Sequence, residues 1–245
     1  MSIVVNNITK IYGEQAAVDQ ISFTADKGRI LGFLGPNGAG KSTTMKILTC
    51  FIPQTSGTAS VSGFDVTDNP MEVRRNIGYL PEHNPLYVDM YVKEALSFIA
   101  DIHGVDRQKK RIADVIELTG LGDEQHKKIG ALSKGYRQRV GLAQAIIHEP
   151  AVLILDEPTT GLDPNQIIGI RKLIRELGES KTVIFSTHIM QEVEAICDQV
   201  VIINKGKLVA NDSVASLKTQ YSAKNLEEIF VLLTNPGTAE QSKKV

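Results

Sequence analysis

Nine residues, Gly35-Pro36-Asn37-Gly38-Ala39-Gly40-Lys41-Ser42-Thr43, constrain this chain more than any other stretch. Their spacing is G-x-x-x-x-G-K-[ST]. Glycines allow the positive-φ backbone in which successive N–H groups converge on one point, which is a cradle for phosphate oxygens. Lys41 adds a compact cation for β- and γ-phosphates, and the Ser42 hydroxyl adds a hard oxygen suited to Mg²⁺. Arg29-Ile30-Leu31-Gly32-Phe33-Leu34 reads as a buried strand entering the loop, and Thr43-Thr44-Met45-Lys46-Ile47-Leu48 as a helix leaving it. A helix placed there directs the positive end of its dipole at the phosphates. The loop specifies a mononucleotide site on a strand–loop–helix unit, without naming the nucleotide or the use of its hydrolysis.

With 245 residues, the chain can bury a substantial core as one domain or as one domain with subdomains. Hydrophobic residues make up 42% and charged residues 22%, the balance of an ordinary globular protein. Twenty-seven basic residues face 28 acidic ones, so no large positive field exists to hold nucleic acid non-specifically. Tryptophan is absent and aromatics reach only 5%, which argues against base-stacking platforms. No nucleic-acid partner is expected. Cys50 and Cys197 stand far apart and read as two buried thiols within helical segments of a protein from a reducing compartment. His83, His103, His126, His148 and His188 are scattered without a zinc spacing. The chain begins directly in an alternating strand, Ile3-Val4-Val5, without a signal-peptide pattern. Apolar runs such as Val152-Leu153-Ile154-Leu155 are strand-length and far short of a bilayer span. A cytoplasmic protein is expected, one that touches a membrane only through another polypeptide.

Residues Ile3 to Thr24 alternate in strand fashion about a Tyr12-Gly13-Glu14-Gln15 turn, and Thr58-Ala59-Ser60-Val61 is a further short strand. Together they predict an antiparallel β layer against the nucleotide core. From Val92 to Ile147 the periodicity turns helical, with Val92, Ala95, Leu96, Ile99 and Ile102 in one stripe and Ile112, Val115, Ile116 and Leu118 in the next. The near-continuous apolar strands Val152–Leu155 and Thr182–Phe185, separated by a helix over 165–178, suit a parallel sheet covered on both faces. Val200 to Leu208 reads as a hairpin around Lys205-Gly206, and Leu226 to Leu233 as a short amphipathic helix. The polar residues from Asn235 onward predict disorder.

Three segments carry further chemistry. The strand Val152–Leu155 ends in Asp156-Glu157-Pro158, which places Asp156 beside Mg²⁺ and lets Glu157 reach the attacking water as general base. Ser186-Thr187-His188 closes the next buried strand; in a parallel sheet such strand ends line the ligand crevice, so His188 can donate to a γ-phosphate. In Leu132-Ser133-Lys134-Gly135-Tyr136-Arg137-Gln138-Arg139, Ser133 can N-cap a helix and Gly135 leaves its backbone bare, an arrangement that suits an anion.

These motifs, in this order, resemble the ATP-binding subunits of ABC transporters over residues from about 2 to 233. Gly35–Thr43 corresponds to Walker A and Val152–Glu157 to Walker B; Leu132-Ser133-Lys134-Gly135-Tyr136 resembles the LSGGQ signature. Gly161-Leu162-Asp163-Pro164 looks like the D-loop, His188 the switch histidine, and Tyr12 the aromatic that stacks on adenine. Tyr79-Leu80-Pro81-Glu82 resembles the Q-loop, with Glu82 in place of glutamine, and Lys134 and Tyr136 depart from the usual signature. No guanine-reading N-K-x-D sequence is present, since Asn204-Lys205-Gly206-Lys207 fails it.

The resemblance implies an α/β P-loop NTPase: a RecA-like core on a mostly parallel sheet, an antiparallel β subdomain and a helical signature subdomain. It divides the chain into an ATP-binding domain over 1–215, holding the helical subdomain at about 85–147, a helical extension over 216–233 and a tail over 234–245. ATP and Mg²⁺ are the implied cofactors, with Glu82 joining Ser42 and Asp156 around the metal. A head-to-tail homodimer follows, in which Ser133 and Gly135 of one copy complete the site of the other. Pro81 to Met90 and Leu226 to Phe230 are similar to the subunits of ABC-2 type exporters, those associated with gliding motility in particular. That likeness implies an ATPase on the cytoplasmic face of the membrane, powering export through a separate permease. A soluble ABC ATPase with a regulatory role is the alternative.

Overall fold

The computed structural model describes residues 1–234. Two sheets organise the molecule. The first is antiparallel: β1 (Ile3–Tyr12), β2 (Gln15–Ala25), β4 (Ser56–Val61) and β5 (Phe64–Asp65), in the order β2-β1-β4-β5. The second joins β3 (Ile30–Leu34), β6 (Ile77–Leu80), β7 (Val152–Asp156), β8 (Thr182–Thr187), β9 (Gln199–Asn204) and β10 (Lys207–Ser213), in the order β10-β9-β3-β8-β7-β6. Every pair in it is parallel except β9 with β10. The mostly parallel core with an antiparallel layer is as the sequence predicts.

Alternate residues of the parallel strands enter different cores, because successive side chains of a strand point to opposite faces. Leu31, Phe33, Val152, Ile154 and Ile184 pack with the antiparallel sheet and with helix α1 (Lys41–Leu48). Ile30, Leu153, Leu155, Val183 and Phe185 pack with the helices of the other face. These helices include α3 (Val92–Ile102), α4 (Gln108–Leu118), α5 (Lys134–Ile146) and α6 (Pro164–Gly178). Covering both faces explains why β7 and β8 read as continuous apolar runs. A third core gathers Leu34, Val193, Val200, Ile202 and Leu217 with Leu226 and Ile229. It joins α7 (Met190–Ile196) to the last two helices, α8 (Val214–Gln220) and α9 (Leu226–Thr234). Among the described residues, no helix is long and apolar enough to cross a membrane.

Several expectations need correction. The strand β6, helix α2 (Pro70–Asn76) and helix α7 carry no clear periodic signal and were not expected. Ile102 and Leu118, placed in the apolar stripes, are 63% and 40% exposed. Ile102 closes its helix, and Leu118 lies two positions from buried Ile116, off the inward face. Cys50 and Cys197 are free and half-buried, and each follows a helix end instead of lying within a helix. Burial pushes both thiols up in pKa, which makes them poor nucleophiles. The tail expected over 234–245 lies outside the described residues except for Thr234, which ends α9.

Candidate functional site

The loop between β3 and α1 is held open by its backbone. Gly40, the residue capping α1, has φ 110°, and a Cβ there would lie 2.5 Å from the Ala17 carbonyl oxygen. Glycine is therefore required at this point. No side chain caps α1, so its first N–H groups remain directed at the loop. From outside, Gly206 in the turn between β9 and β10 donates its N–H to the Ala39 carbonyl at 2.9 Å. Ala17, Asn37, Gly38, Gly40, Lys41, Ser42, Thr43, Glu82 and Glu157 line a cleft of about 340 Å³ over the loop.

Lys41, only 6% exposed, donates to the carbonyls of Gly35 and Pro36 at 2.8 and 3.3 Å. Its ammonium also lies 3.2 Å from Oε1 of Glu157, an ion-pair distance without hydrogen-bond alignment. The other oxygen of Glu157 meets Nδ1 of His188 at 2.9 Å and accepts from the Thr160 hydroxyl at 3.2 Å. One buried carboxylate thus bridges the loop lysine and the histidine at the end of β8. Glu157 sits just past β7 at φ 50°, a left-handed conformation costly for a side chain, and its N–H is tied to the Ser186 carbonyl at 3.1 Å. Strain of this kind aims the carboxylate out of the strand axis and into the cleft.

Asp156 is almost fully buried and accepts from the Ser186 hydroxyl at 2.5 Å through Oδ1. No role follows for Ser186 from its sequence position alone, although it lies two residues before His188. Ser42, Glu82 and Asp156 share the wall of a second, larger cleft of about 860 Å³ that adjoins the first. Burial and then the charges of Asp156 and Glu82 push the Tyr79 phenol up in pKa, so both carboxylates act on one neighbourhood. A hydroxyl and two carboxylates are a donor set for a hard cation, and they fit Mg²⁺.

The remaining expected residues lie elsewhere. Tyr12 ends β1 at the hairpin tip, half exposed, with the Lys10 ammonium 5.1 Å above its ring, and lines neither cleft. Ser133 caps α5 by accepting from the Tyr136 N–H at 3.4 Å. Gly135 is buried beneath the Gln166 side chain, and Asp163 caps α6 by accepting from the Gln166 N–H at 3.0 Å. None of these three lines either cleft. Pro85 is exposed, Leu86 packs against the helical core, and Tyr87, 61% exposed, meets the Phe98 ring edge-on at 6.1 Å.

Residues 18–160 match the family model described as ABC transporter. This chain belongs to the ABC transporter family. Within it, the chain is 38% identical over 219 residues to the ABC transporter ATP-binding protein NatA of Bacillus subtilis, spanning 88% of this chain and 89% of that one. It is 36% identical over 214 residues to the Nod factor export ATP-binding protein I of Burkholderia orbicola, spanning 86% and 70%. A solved ATP-binding subunit of an ABC transporter superposes with a TM-score of 0.87 at 28% identity, covering 95% of this chain and 99% of that structure. As a member of this family the chain is an ATP-binding subunit and an ATPase with a P-loop fold.

Proposed function

We propose that this ABC subunit hydrolyses ATP in the cleft over Gly35–Thr43 to drive export through a separate membrane permease. The double engagement of Glu157, with Lys41 at one oxygen and His188 at the other, carries the reading. With ATP bound, Gly35, Pro36, Asn37, Gly38, Ala39, Gly40 and Thr43 wrap the phosphates, and Lys41 balances their charge. Glu157 turns to orient and deprotonate the attacking water, and His188 donates to the γ-phosphate. Ser42, Asp156 and Glu82 would hold Mg²⁺, which would supply charge neutralisation to the phosphates. Tyr12 stacks on the adenine.

Ser133, Gly135 and Asp163 lie off the cleft of their own chain, which supports a head-to-tail homodimer in which they meet the ATP of the other copy. ATP then closes the dimer and hydrolysis reopens it. The larger cleft, with Glu82 in its wall and Tyr87 at its rim, takes a cytoplasmic segment of the permease and relays closure to it. The subunit works on the cytoplasmic face of the membrane, as one domain over 1–215 with a helical subdomain at about 85–147 and an extension over 216–233. Kinship with a Nod factor export subunit supports outward transport. The narrower likeness to gliding-associated exporters rests on the segments Pro81–Met90 and Leu226–Phe230.

Glu157→Gln is the test. The variant is expected to keep its ATP affinity, lose turnover by about a hundredfold or more, and sediment as a dimer with ATP and Mg²⁺. A monomer at saturating ATP sinks the dimer, and unchanged turnover sinks the role of Glu157.

A further inference from the structure

One helical turn beyond His188 lies a carboxylate from which water is fully excluded. Glu192 on α7 is 0% exposed and touches neither cleft. A buried carboxylate persists only where partners replace its hydration, and here there are two. Its Oε2 accepts from the Thr187 hydroxyl at 2.7 Å. Its Oε1 lies 3.5 Å from the guanidinium of Arg171 on α6, the helix that Asp163 caps.

The two contacts differ in kind. Arg171 Nε and Glu192 Oε1 have no hydrogen-bond partner among the described residues, so that contact compensates charge without fixing direction. The hydroxyl bond is short and aligned, so Thr187 sets how the carboxylate lies. Thr187 is itself fully buried, and its oxygen accepts the N–H of Ile189 at 3.1 Å. Glu192 closes the same turn again by donating its own N–H to the Ile189 carbonyl at 3.1 Å. Both chain neighbours of His188 are therefore tied to Glu192, Thr187 directly by the carboxylate and Ile189 through the Thr187 hydroxyl and the Glu192 N–H, while the imidazole faces Glu157 at 2.9 Å. A simple staple between α6 and α7 needs the charge pair but has no use for the hydroxyl relay.

We propose that Glu192 is a positioning residue for hydrolysis: through the Thr187 hydroxyl it fixes the turn that aims His188 at Glu157. The inference rests on the role given above to His188, and the experiment separates the two. Thr187→Val keeps the branched shape and removes the hydroxyl, whereas Thr187→Ser keeps the hydroxyl. Steady-state ATPase kinetics and the NMR resonance of the His188 C2 proton are read for each. Thr187→Val is expected to lower kcat about tenfold with KM within about threefold, and to move the His188 resonance. Thr187→Ser is expected to restore both. Glu192→Met, which loses the acceptor, follows Thr187→Val; Glu192→Gln, which keeps an acceptor oxygen, stays within about threefold of the unaltered protein. His188→Ala alone tests the histidine: full turnover there ends its catalytic role, and the resonance shift still decides whether Glu192 positions the ring. An unmoved resonance in Thr187→Val, or equal losses in the Val and Ser variants, overturns the proposal.

Discussion

Stability should fall on mild acidification because of one ring pair. His148 stacks on His103 with centroids 3.8 Å apart and planes 9° from parallel. Its Nε2 donates to the Ile77 carbonyl at 3.0 Å, and its Nδ1 has no partner among the described residues. Burial, with the positive charges of Lys181 and Arg111 and the neighbouring ring of His103, pushes its pKa down from 6.5 to about 4. The folded state thus binds fewer protons than the unfolded state in that window. The stabilisation is complete above the unfolded pKa of 6.5 and is lost as the pH falls from there towards about 4. The full shift corresponds to about 3.4 kcal/mol. The ring is only half-buried, so screening by water reduces this to about 1–2 kcal/mol. By pH 5 roughly half of it should be gone.

Carboxylates also titrate there, so the test is a difference. Urea unfolding would be followed by circular dichroism at pH 7.5 and pH 5 for the unaltered protein and for His148→Phe, which keeps a flat ring against His103. The variant should lose about 1 kcal/mol less on acidification. Equal losses within a few tenths of a kcal/mol would show that His148 does not titrate as its surroundings dictate.

Glu82→Gln should retain ATPase activity within about tenfold, since either side chain offers an oxygen to the cation; a thousandfold loss in turnover would refute that interchangeability. In Gly78→Ala, the new Cβ would lie 2.0 Å from the Ala145 carbonyl oxygen, so β6 and α5 must separate. Thermal unfolding should report about 2 kcal/mol of destabilisation or more, and an unchanged melting temperature would contradict the packing. Tyr87→Ala, exposed at the rim of the larger cleft, should leave basal ATPase activity within about twofold and abolish co-purification with the membrane permease.

Much of this could be read directly from residues. The phosphate loop, the two hairpins and the continuous strands β7 and β8 are local patterns, and each requires only its own neighbours in sequence. The strand β6 is not legible in the sequence because its four residues, Ile77-Gly78-Tyr79-Leu80, form a short run and hold a glycine whose reason is a helix backbone far along the chain. The bond from Ser186 to Asp156 and the burial of Glu192 arise where β7, β8, α6 and α7 meet, and no periodicity reports a meeting. Polar residues inside a fold follow their partners, and partners are visible only in three dimensions.

The place of β3 in the sheet has a consequence for synthesis. Its two neighbours, β8 and β9, both lie far along the sequence, so Ile30 waits for Val183 and Leu31 for Gln199. The strand that carries the phosphate loop emerges from a ribosome long before either of its ladder partners. The long wait exposes an apolar strand to wrong pairing. For this molecule the risky interval is translation itself, and slowing it between β3 and β8 should raise aggregation more than slowing it after β9.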